Sequence, residues 1–126
     1  MSEVPFDDIV VGATLPSRRY TVDADAVSSY RSALALPPAD YVPSMFCVVL
    51  MKEMRRLLPA PPGGIHAEQH FEFEEPLRIG DTIEVTSTIK DKYVRNERRN
   101  VVIATAFTRS DGVVVARGEA RRIWAR

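Results

Sequence analysis

The chain has 126 residues, 45% hydrophobic and 27% charged, with Lys plus Arg equal to Asp plus Glu at 17 each. That is the length of one domain of about 100–150 residues, able to bury a core without staples. The zero net charge gives no argument for a nucleic-acid or membrane partner, and no apolar run approaches the roughly 20 residues of a membrane span.

Phe6 to Gly12 reads as a lead-in loop with apolar anchors, and Leu15 to Val22 as a first strand. Asp23 caps a helix expected from Ala24 to about Ala35, because its carboxylate can accept first-turn N–H groups. Ala26, Val27, Tyr30 and Leu34 share one side of that helix. Pro37-Pro38 ends it. A second helix is expected from Ser44 to about Leu58, apolar on all sides in its first two turns and therefore enclosed by other structure. Cys47, the single cysteine, sits in that run and reads as a small core hydrophobe. A reducing cytoplasm fits this, as does an N-terminus, MSEVPFDDIV, with no basic region followed by an apolar one.

PAPPGG terminates the second helix, and from Ile65 the period changes to two. Phe71 and Phe73 are expected on one face, with His66, Glu68, His70, Glu72 and Glu74 on the other. Pro76 and Gly80-Asp81 mark a turn, and Ile83, Val85 and Ile89 line one face of the next strand. The charged stretch KDKYVRNERRN reads as a loop, Val101 to Thr108 as a strand, Asp111-Gly112 as a hairpin turn, and Val113 to Trp124 as the closing strand. Short connections after Gly64 suggest an antiparallel meander. The expected fold is α+β, a single hot-dog domain spanning 1–126 in which an antiparallel sheet wraps a long buried central helix.

The residues carry a narrower resemblance. His66, Gln69, Phe71, Phe73, Pro76-Leu77 and Gly80-Asp81 keep the spacing of the second half of MaoC-like acyl dehydratases, in particular their fatty-acid-synthase-like branch. Tyr41 to Phe46 is similar to that family's lead into the central helix, and Asp91-Lys92-Tyr93 falls where the branch often has Asp-x-Tyr. The resemblance implies reversible loss of water from a 3-hydroxyacyl thioester carried on coenzyme A or acyl carrier protein. It implies an Asp and a His in an Asp-x-Asn-Pro-x-His loop, one to remove the C2 proton and one to protonate the departing hydroxyl. It also implies that the helix start, here Pro43, Ser44, Met45 and Phe46, binds the thioester end of the substrate, with the backbone N–H groups that follow the proline polarising the thioester carbonyl.

This sequence departs from that pattern in the catalytic loop. In one register Asp40 and Pro43 match, while Val42 replaces Asn and Met45 replaces His; in the other the loop is simply shortened. His66 and Asp40 are the remaining catalytic candidates, Tyr93 and Arg95 the candidates for meeting coenzyme A or a carrier protein. Lys90, Lys92, Arg98 and Arg99 share the same basic stretch, for which a solvated hairpin is the plain alternative. The run His66-x-Glu68-x-His70-x-Glu72 could suggest a metal ladder, but a polar outer sheet face explains it without an ion, and no cofactor is expected.

The reading that follows is a dehydratase or hydratase component, a dimer and possibly a heterodimer with a catalytic hot-dog chain. The alternatives are a non-catalytic acyl-binding or scaffolding subunit, and a hot-dog thioesterase using Glu53 or Asp40.

Overall fold

The computed structural model describes residues 3–52 and 54–125. Five strands form one sheet in the order β1-β3-β4-β5-β2, all neighbours antiparallel: β1 (Arg18–Thr21), β2 (Ile65–Phe73), β3 (Thr82–Arg95), β4 (Arg98–Arg109) and β5 (Val114–Trp124). β3, β4 and β5 are the meander the sequence suggests. β2 is not part of it: it pairs with β5 at the far edge, so residues 74–81 are a crossing segment rather than a hairpin turn. Burial drives that crossing. Leu77 enters the core beside Val22 and Val115, and Gly80 donates to the Val22 carbonyl (2.8 Å) while Val22 donates to that of Asp81. The end of β1 and the start of β3 are thereby locked together.

The charged stretch after Ile89 is strand, not loop. β3 continues to Arg95, and the chain reverses through Asn96 and Glu97, both at positive φ (50° and 64°), before Arg98 opens β4. Two left-handed central residues twist the way a tight hairpin needs. High charge only reports that this end of the hairpin is solvated.

Helix α1 (Ala24–Ala33) starts as the capping pattern requires, with the Asp23 carboxylate accepting from the Ala26 N–H at 3.0 Å. Its buried face is Val27 and Arg31, with Tyr30 packed against the core; Leu34 is exposed instead. The expected continuous helix from Ser44 to Leu58 is broken. A 3-10 turn at Ser44–Phe46 leads into α2 (Cys47–Leu50), a single α turn, and a second 3-10 turn spans Met54–Leu57. Cys, Val and Val are modest helix formers, and so short a segment gains little from cooperativity. Only one side of it is enclosed. Phe46, Cys47 and Leu50 are buried, whereas Met45, Val48 and Val49 are 45%, 37% and 37% exposed.

The sheet's inner face carries two core clusters. Val85, Phe107 and Ala116 pack with Phe46, Cys47, Leu50 and α1; Ile89, Val101 and Trp124 pack with Phe6, Ile9 and Leu58. The lead-in loop is held here, as its apolar anchors imply: Val4 donates to the Pro59 carbonyl, and the Trp124 indole N–H donates to that of Val4, each at 2.8 Å. Among the described residues no helix is long and apolar enough to cross a membrane.

Candidate active site

A cavity of about 330 Å³ opens where the 59–64 loop passes over the inner face of β4 and β5. Its walls are mostly apolar, drawn from Leu15, Met51, Leu58, Ile103 and Ile123. Burying methylenes against such walls contributes about 0.8 kcal/mol each. Three glycines and prolines of the loop, Pro62, Gly63 and Gly64, form its lip. Gly64 is there because nothing larger fits: a Cβ would lie 2.8 Å from the Ile123 carbonyl oxygen.

His66 lines this cavity, and a β-bulge puts it there. His66 pairs with Arg122 and Glu68 with Arg121, so Ala67 is the extra residue and the alternation restarts after it. His66 therefore shares the inner face with Gln69, Phe71 and Phe73, contrary to the simple period-two expectation. Glu68, His70 and Glu72 remain outside. The bulge thus takes His66 off the face that Glu68, His70 and Glu72 share, and among the described residues no group of three or more His, Cys, Asp or Glu is placed to hold a metal ion. Arg122, directly opposite His66, lines the cavity as well, with its guanidinium 4.9 Å from the centre of the Trp124 ring.

At the inner face of the sheet the cavity meets two hydroxyls. Ser87 on β3 and Thr105 on β4 are register partners, 2% and 4% exposed, with their oxygens 2.8 Å apart. They interrupt the apolar faces Ile83, Val85, Ile89 and Val101, Ile103, Phe107 at the seam between the two core clusters. The interruption is visible in the sequence as a polar residue on an otherwise aliphatic stripe, but only strand register shows that the two interruptions coincide.

Asp40 is not brought to His66. It sits on an exposed bend between α1 and the 3-10 turn and does not line the cavity. That bend is organised by Arg31, 4% exposed, which donates to the Pro37 carbonyl (3.0 Å) and the Tyr41 carbonyl and stacks 4.4 Å from the centre of the Tyr41 ring. No local pattern in the sequence signals this clamp, because its acceptors lie six and ten residues further along the chain. Pro43 is half-buried and Phe46 buried, while Ser44 and Met45 are exposed; Ser44 makes no capping bond, Pro43 being the N-cap residue. Glu53 lies outside the described residues.

Tyr93 and Arg95 face the other side of the sheet, where an open cleft of about 1260 Å³ is bordered by Glu68, His70 and Arg121. Arg121 bridges Glu68 (2.9 Å) and the buried Asn100 (2.8 Å), and its guanidinium holds the Glu68 carboxyl below the usual carboxylate range. Of the basic stretch, Lys90 pairs with Glu119, Lys92 donates to the Phe6 carbonyl, and Arg99 lies over the Phe6 ring. Arg95 and Arg98 are left at the exposed hairpin tip. Cys47 is fully buried, and burial pushes its thiol up to about 12, which removes it as a nucleophile.

No curated protein sequence matches the chain. Solved structures do match in fold. A MaoC-like dehydratase from Rhodospirillum rubrum superposes with a TM-score of 0.79 at 20% identity, covering 95% of each chain. The R-hydratase PhaJ1 from Pseudomonas aeruginosa gives 0.78 at 20% identity, over 98% of this chain and 87% of that one. A C-terminally truncated HadBC (3R-hydroxyacyl-ACP dehydratase) complex from Mycobacterium tuberculosis gives 0.78 at 17% identity, over 91% and 97%. The fold is thus the hot-dog, with a short, interrupted central helix. Residues 41–118 match the sequence family described as FAS1-like, dehydratase domain region. That match spans the helix start, the bulged strand with His66, the crossing segment and the hydroxyl pair, and by it the chain belongs to the FAS1-like dehydratase domain family.

Proposed function

We propose that this chain is the pocket-bearing subunit of a cytoplasmic 3-hydroxyacyl-thioester dehydratase or hydratase, acting with a second hot-dog chain that supplies the catalytic Asp and His. The observation that carries the reading is the segment between α1 and α2. Both histidines of the chain lie in β2, and the segment that would hold the family's Asp/His loop holds only Asp40, on an exposed bend. Elimination of water from a 3-hydroxyacyl group needs a base at C2 and an acid at the departing hydroxyl, held together. His66 and Asp40 are not so held within this chain.

Two surfaces support a partner. β2 is an edge strand of nine residues, an open ladder of backbone donors and acceptors. Met45, Val48 and Val49 expose the unenclosed side of the helical segment. The similar HadBC assembly is itself a complex of unlike chains by name. In the division of labour the cavity beside His66 takes the acyl chain. The N–H groups of Ser44 and Met45 take the thioester end, that of Phe46 being donated to the Pro43 carbonyl at 2.9 Å, and Arg95 with Tyr93 meets the phosphates or the acidic carrier.

The test is hydration of a 2-enoyl thioester by the purified chain, alone and copurified with a hot-dog partner bearing an intact Asp-x-Asn-Pro-x-His motif. We expect negligible turnover alone and activity in the pair that falls when the partner's His is replaced. Turnover by this chain alone at rates comparable to the pair would overturn the reading, and its loss in His66→Gln would then make His66 the catalytic group.

A further inference from the structure

Two buried hydroxyls bring two donors, and a single bond between them uses only one. The Ser87 and Thr105 hydroxyls bond each other, and among the described residues neither hydroxyl has a further hydrogen bond. One O–H therefore remains unspent, on side chains almost wholly removed from solvent, at the wall of a cavity that is mostly apolar apart from His66 and Arg122. A buried donor without an acceptor is costly. The fold nevertheless sets these two residues opposite each other, where Val85, Ile89, Ile103 and Phe107 stand at the flanking inner positions.

We propose that the Ser87–Thr105 pair is a specificity element, which receives an oxygen carried on the aliphatic chain of the ligand. The pair offers one free O–H and unused lone pairs, so it complements a hydroxyl best, donating to its oxygen and accepting its proton. The ligand class is then a short aliphatic acyl group oxygenated along its chain, beyond the hydroxyl that reacts. That the aliphatic group is an acyl thioester rests on the function proposed above; the recognition of oxygen in the cavity does not.

The experiment uses probes without a thioester. 1-Hexanol and hexane are titrated into the purified chain, and the backbone amide resonances of Ser87 and Thr105 are followed by NMR in wild type and in S87A/T105V. The double variant keeps the shape of the wall nearly unchanged while removing both hydroxyls; Thr105→Val alone serves if the double variant does not fold. The expected result is that both amides respond to 1-hexanol, and that its preference over hexane falls about tenfold in the variant. An unchanged preference, or no response of these amides to either probe, overturns the inference. Preference for the alcohol with no dehydratase activity in any pairing would sink only the proposed function. Dehydratase activity without the preference would sink only this inference.

Discussion

Removing the hydroxyls one at a time and together should give strongly non-additive stabilities. Ser87 and Thr105 sit at 2% and 4% exposure, 2.8 Å apart. Thr105→Val is close to isosteric, so its main effect is to leave the Ser87 hydroxyl buried with no partner, a cost of about 1–3 kcal/mol. Ser87→Ala strands the Thr105 hydroxyl in the same way. In S87A/T105V both polar groups are gone, the donor that is unspent in the wild type among them, and the wall becomes continuous with Val85, Ile89, Ile103 and Phe107. Replacing both partners by apolar groups is close to neutral. The double variant should therefore be at least as stable as wild type, and the coupling between the two sites, the double-variant cost less the two single-variant costs, about 2–6 kcal/mol in magnitude. Urea denaturation at constant m-value reads it directly. Additivity within about 0.5 kcal/mol would refute the reasoning, because it would mean that each hydroxyl is satisfied independently of the other.

Gly64→Ala drives a Cβ to within 2.8 Å of the Ile123 carbonyl oxygen, a backbone atom that cannot rotate away. The strand ends must separate, at about 1–3 kcal/mol, and amide shifts should concentrate at His66 and Ile123; a loss below 0.5 kcal/mol (an order-of-magnitude threshold, about the scatter of surface substitutions) would contradict the close approach. Cys47 should resist a thiol reagent at pH 8 until the chain unfolds. Its thiol ionises at about 12 in the fold against an ordinary 9.0. Its contribution is thus fully present below pH 9 and lost as pH rises toward 12, when the unfolded chain ionises first. Against Cys47→Ala, wild-type stability should fall by about 1.4 kcal/mol per pH unit through the middle of that window; parallel pH profiles would show that the thiol is not desolvated.

What the sequence alone determined is local or spaced along one strand. The Asp23 cap, the glycine and proline stop before β2, the inner stripes of β3, and the motif from His66 to Asp81 are each written within a few consecutive residues. The family resemblance rests on those spacings, and so does the lack of a catalytic histidine before Phe46. Tertiary structure decided what depends on partners distant in the chain. The bulge at Ala67 exists because β2 must follow β5 through His66↔Arg122 and Glu68↔Arg121, and one extra residue turns His66 into the cavity. The route of residues 74–81 past β5 and β4 follows from Leu77 finding its burial there, which no local period reports. The long apolar helix became a single α turn between 3-10 turns, since hydrophobicity marks burial and not regularity. The meeting of Ser87 with Thr105, eighteen residues apart in sequence, is a property of register. Two polar residues that look like separate defects in two strands are, once the strands pair, one hydrogen-bonded element at the wall of the cavity.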